Sequence, residues 1–125
     1  MIRLFLGATA GVLIVVFASF WLAPRAAIAA PMRCGLASWY SYESGPITAS
    51  GERFDPTQLT AAMPSRAHLG ERYRVHFGHR FVDVRVNDVG PRADLHRIMD
   101  LSRAAAERIG LIGRGVGTVC LEKLS

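Results

Sequence analysis

Two carboxylates stand in stretches that can hold them rigidly toward a groove. Glu52 lies in Thr48-Ala49-Ser50-Gly51-Glu52-Arg53-Phe54-Asp55, where Ser50-Gly51 allows a tight bend and a close approach of another backbone. Asp88 ends an alternating run, Val84-Arg85-Val86-Asn87-Asp88, just before Val89-Gly90-Pro91, so a strand delivers its side chain into a turn. Carboxyls fixed this way are candidates for acid and base work. The plain alternative is an Asx-turn, in which the aspartate serves only its own backbone. Asp83 falls mid-strand and is expected on the outer face, and Asp100 is expected to support the Asp-Leu-Ser turn into a helix.

Other reactive side chains are easier to assign. Cys34 and Cys120 stand near opposite ends of the chain. In an oxidising compartment such a pair is expected as a disulfide, closing a long loop and contributing on the order of 4 kcal/mol in the chain-entropy model. Neither has a histidine nearby in sequence, which argues against a cysteine nucleophile. His76 and His79 form an H-x-x-H, but on a hairpin their rings need not converge and no third ligand is close, so no metal site is expected.

The elements that must position these groups are mostly short strands. Gly35 to Tyr40 reads as the first, followed by a loop rich in Ser, Gly and Pro from Ser41 to Ser50. Leu59 to Met63 is a short apolar segment. Arg72 to Phe77 and Arg80 to Asn87 alternate apolar and polar residues and meet at a Gly78 turn. Ile98 to Leu101 can form another strand. Ser102 is a good N-cap and Gly110 a good terminator for a helix over Arg103 to Ile109, and Val116 to Leu124 closes the chain as a strand. Short strands with turns between them and one short helix indicate a mainly all-β fold, a small barrel.

The chain has 125 residues and a formal charge of +5. Arg3, the apolar run Leu4 to Leu22 and the small residues of Ala27-Ile28-Ala29 read as a signal peptide cut after Ala29, leaving one domain over residues 30–125. The run also has the roughly 18 residues an uncleaved membrane anchor needs; either way the domain is delivered outside the cytoplasm, to the periplasm or beyond. The 15 basic residues less Arg3 and Arg25, against 10 acidic ones, leave that body at about +3. No basic run is dense enough for nucleic acid, whereas an anionic polymer such as a cell wall fits export. Pro31-Met32-Arg33 before Cys34 is not a lipobox.

The series Gly35-Leu36-Ala37-Ser38-Trp39-Tyr40, Thr48 to Phe54, Leu59-Thr60-Ala61-Ala62, Val86 to Pro91 and Asp100-Leu101-Ser102-Arg103-Ala104-Ala105 resembles the rare lipoprotein A (RlpA) family over Gly35 to Leu124. The resemblance implies a six-stranded double-psi β-barrel, the fold shared with expansins and some endoglucanases. It implies an endolytic peptidoglycan transglycosylase preferring glycan strands stripped of stem peptides, with catalytic carboxylates at Asp88 and Glu52 and no cofactor. Cleaving the glycosidic bond needs a proton for the departing oxygen and relief of positive charge on the sugar. Two adjacent carboxyls would also raise one pKa and keep an acid protonated.

Trp39 and Tyr40 point to opposite faces of a strand, so one packs in the core while the other can stack on a sugar. Tyr40 or Tyr42 is expected in that role, with Asn87 and Arg53 as further substrate-binding residues. The sequence departs from the family at Met63, where a histidine is usual, and at Val89, where an arginine is usual. His68 is near in sequence and is a candidate substitute, or a surface histidine in a turn. The expected partner is the peptidoglycan glycan strand, met as a monomer; no SPOR domain is expected to direct the protein to the septum. A competing reading keeps the barrel without turnover, as an expansin-like glycan-binding or wall-loosening module.

Overall fold

A computed structural model describes residues 31–125 and, apart from these, Gly7, so the signal peptide and its cut after Ala29 lie outside the described residues. Six strands and one α-helix follow one another as β1 (Arg33–Tyr40), β2 (Thr60–Met63), β3 (Arg72–Phe77), β4 (Arg80–Val89), β5 (Arg97–Ser102), α1 (Arg103–Ile109) and β6 (Val116–Lys123). They close into a barrel in the order β1-β5-β2-β4-β3-β6. β1 with β5 and β2 with β4 are parallel, and the other neighbours are antiparallel.

The alternation in β3 and β4 sets their register. Tyr73 lies opposite Val84 and Val75 opposite Val82, all four turned into the core, while Arg74 and Asp83 pair on the outer face as a bidentate ion pair. Gly78, at φ 59°, supplies the turn conformation an L side chain resists. Ala37, Met99, Leu101, Val86, Val119 and Leu121 complete the barrel interior. Each fully buried aliphatic side chain contributes about 1.5–3 kcal/mol. Helix α1 covers the interior with Ala105, Ala106 and Ile109. Its Ser102 cap accepts from Ala105 N and donates to Gln58 O, tying the helix start to the segment before β2.

Cys34 and Cys120 are bonded across directly paired positions of β1 and β6, Cα to Cα 4.0 Å, at a sequence separation of 86. That pairing lets β1 begin at Arg33, two residues earlier than the sequence alone indicates. β4 runs two residues past Asn87. Asp88 is therefore inside a strand, opposite Ala62, rather than in the turn that follows. The turn contains a cis Gly90-Pro91 bond.

Candidate functional site

The long connection from β1 to β2 folds back on itself and lies against the end of β4. Ile47 bridges Arg53, Gly51 N donates to Thr48 O, and Gly51 takes φ 88°, the tight bend read from Ser50-Gly51. Ser50 N then donates to Asn87 O at 3.1 Å and Ala49 N to Asp88 Oδ1 at 2.9 Å, while Arg66 Nη2 donates to Ala49 O at 3.3 Å. This loop carries Glu52 and the strand carries Asp88, so the two candidate carboxylates belong to one surface.

Their surroundings differ. Asp88 is half-buried, and its Oδ1 accepts from both Ala49 N and Val89 N at 2.9 Å, leaving Oδ2 without a hydrogen bond among the described residues. The Val89 contact is the local bond of the plain reading; the Ala49 contact crosses to another segment. Glu52 is held by Arg85 through both oxygens and accepts from Ser50 Oγ at 2.9 Å. Arg85, with Ser50 and the Asn87 amide, keeps the Glu52 carboxyl below the usual range. A raised pKa, expected for one of two adjacent carboxyls, is not found at Glu52, which is held by a guanidinium.

Asn87 is buried, and its Oδ1 has no hydrogen-bond partner among the described residues. Arg53 is exposed on an open depression of about 430 Å³ that it lines with Tyr42, Pro46, Phe54 and Asp55. Tyr42, 70% exposed, also borders a second depression of about 510 Å³ with Thr57 and Arg103. Tyr40 is different: only 7% exposed, it packs with Phe54 and Ala62, its ring stacked on Phe54 at 4.8 Å. Trp39 goes to the other side and packs against the main core. Of the two tyrosines, Tyr42 has the exposed ring, meeting Phe54 edge-on.

Met63 is 1% exposed and packs in the main core opposite Val89, so the thioether lies among aliphatic side chains. His68 is engaged by Glu71 at 2.9 Å and by the Tyr73 hydroxyl, and His76 by Glu122 at 3.1 Å. Sequence reasoning missed Arg85 and misplaced Asp100. Rather than supporting the turn into α1, Asp100 accepts from Ser38 Oγ and from Arg97. Arg97 lies three residues before Asp100 in the same strand, whereas only the parallel β1–β5 register brings Ser38 opposite it.

A family model described as lytic transglycolase matches residues 32–121. The chain belongs to that family. Among the lytic transglycolase family's curated relatives, endolytic peptidoglycan transglycosylase RlpA of Haemophilus influenzae is 45% identical over 94 residues, covering 72% of this chain and 32% of that protein. The probable endolytic peptidoglycan transglycosylase RlpA of Nostoc sp. is 44% identical over 95 residues, covering 72% of this chain and 25% of that protein. The chain thus spans about a third or less of the length of these relatives. Among solved structures, the Streptomyces papain inhibitor superposes with a TM-score of 0.65 at 22% identity, covering 78% of this chain and 97% of that one. An expansin of Clavibacter michiganensis does so at 0.63 and 19% identity, covering 76% and 51%. These likenesses carry the fold: a six-stranded double-psi β-barrel.

Proposed function

We propose that this protein is an endolytic peptidoglycan transglycosylase that cleaves the MurNAc-GlcNAc bond, acts preferentially on strands stripped of stem peptides, and leaves 1,6-anhydroMurNAc ends. The observation that carries the reading is Asp88, clamped through Oδ1 by two backbone amides with Oδ2 open. In this mechanism protonated Asp88 gives its proton to the glycosidic oxygen as the C1–O bond breaks. The C6 hydroxyl of the same MurNAc attacks C1 and its proton returns to Asp88, so no water is consumed. Glu52, kept ionised by Arg85, supplies fixed negative charge for the oxocarbenium-like sugar.

Tyr42 offers the exposed ring for sugar stacking, and Arg53 beside it an exposed cation. Removing the stem peptide frees the lactyl carboxylate of MurNAc, which Arg53 can pair with; an amide at that place cannot. Asn87 acts from below by orienting Glu52. The Cys34–Cys120 disulfide supports an oxidising compartment, periplasmic or extracellular, and the protein works there as a monomer.

A second reading, glycan binding without turnover, is favoured by one observation: Glu52 is committed to Arg85 and is not free to share a proton with Asp88. Incubation with purified sacculi separates the two. The transglycosylase releases soluble anhydro-ended fragments, more from amidase-treated sacculi; a binding module cosediments and releases none.

A further inference from the structure

Asp88, Ala62, Asp100 and Ser38 form one row across β4, β2, β5 and β1. Side chains at paired positions emerge on the same face. The two aspartates therefore stand on either side of Ala62, whose methyl group cannot separate them. With strands about 4.8 Å apart, their Cα atoms are roughly 10 Å apart, a gap one aromatic side chain can span.

Tyr40 packs against this row on Ala62, within the field of both aspartates. Its ring packs on Ala62 and Phe54, and its hydroxyl is buried with no hydrogen-bond partner among the described residues. Leaving a buried hydroxyl unpaired is unfavourable, and a phenylalanine would fill the same space without that penalty. Burial, then the charges of Asp88 and Asp100, push the phenol well above its ordinary value, so it stays protonated and acts as a donor. Asp100 already receives Ser38 and Arg97, and on the loop side Glu52 is engaged by Arg85. Of the two aspartates beside the ring, Asp88 is the one with an oxygen, Oδ2, that accepts nothing among the described residues.

We propose that Tyr40 is a positioning residue for the acid: its hydroxyl donates to Asp88 Oδ2 once the proton has gone to the sugar oxygen, and turns toward Asp100 while Asp88 is protonated. This rests on the reading of Asp88 as the acid. It replaces sugar stacking with proton placement as the role of Tyr40.

Tyr40→Phe keeps the ring and its stack on Phe54. On soluble peptide-free glycan, kcat should fall about tenfold to a hundredfold, the worth of a hydrogen bond to a charged group, with KM unchanged. The alkaline limb of the kcat profile should move to higher pH, because the charged form of the acid has lost a donor. The melting temperature should hold or rise, since an unpaired hydroxyl has gone. A readout independent of turnover is the 13Cζ resonance of Tyr40 in tyrosine-labelled protein. It should step as pH rises, and the step should vanish in Asp88→Asn. A flat resonance, a step that survives Asp88→Asn, or wild-type kcat and pH profile in Tyr40→Phe overturns the proposal. A step with no cleavage by the wild type sinks the transglycosylase reading instead and leaves the Tyr40–Asp88 link standing.

Discussion

Arg85 of β4 holds both carboxylate oxygens of Glu52, which comes from the loop between β1 and β2. The ion pair therefore fixes the loop over the strand end that carries Asp88. Both partners are about a third exposed, at 36% and 35%, so the pair contributes little to stability, about 0–1 kcal/mol. Its expected effect is on activity. Arg85→Met and Glu52→Gln should each lower kcat by about tenfold or more, and the double variant should be no worse than either, because the two act as one unit. Rates that fall additively in the double-mutant cycle would contradict this.

Acid stability is expected to depend on a second carboxylate. The Tyr73 hydroxyl, at 2.5 Å, then His68 and Lys123, hold Glu71 down to about 2 from an ordinary 4.5. A depressed carboxylate pKa contributes stability that is present above the unfolded value and lost as pH falls through the folded one. Urea unfolding should therefore show stability falling between about 4.5 and about 2, and Glu71→Gln should flatten that part of the profile. Because Glu71 is partly exposed, the loss at neutral pH should be about 1 kcal/mol. An unchanged acid limb in Glu71→Gln would refute the assignment.

Restoring the histidine usual in the family at position 63 should not help. Met63 packs with the barrel interior, whereas Ala62 faces Tyr40 and Phe54. Met63→His places a polar ring among aliphatic side chains and should cost about 1–3 kcal/mol in urea unfolding, with no gain in glycan cleavage. A variant more active than wild type would show that position 63 reaches the carboxylate face.

The disulfide ties β1 to β6 across 86 residues of sequence. Cys34→Ser with Cys120→Ser should lower unfolding stability by about 2–5 kcal/mol, measured by urea titration at neutral pH. Equal midpoints for the two proteins would mean that the barrel closes without it.

Local signals were legible and long-range ones were not. The β3–β4 hairpin follows from alternation about Gly78, α1 from Ser102 and Gly110, and the Glu52 bend from Gly51. The parallel pairs join residues far apart in sequence, and no local pattern encodes their register. That is why the Ser38 partner of Asp100 is not legible in the sequence; the Arg85 partner of Glu52 is hidden because a loop folds back onto a distant strand. Tyr40 was uncertain for a related reason. Alternation separates it from Trp39, but both faces of the end of β1 are covered, one by the main core and the other by Phe54. A period of two identifies a single buried face, and it cannot reveal that a distant loop buries the second.

The most direct test is mass spectrometry of the products released from amidase-treated sacculi by the wild-type protein and by Asp88→Asn. Anhydro-ended glycan fragments from the wild type, absent or reduced at least a thousandfold with Asp88→Asn at an unchanged melting temperature, are the predicted result. Equal fragment yields from both proteins would contradict the assignment of Asp88 as the acid, and intact glycan in both would contradict the transglycosylase itself.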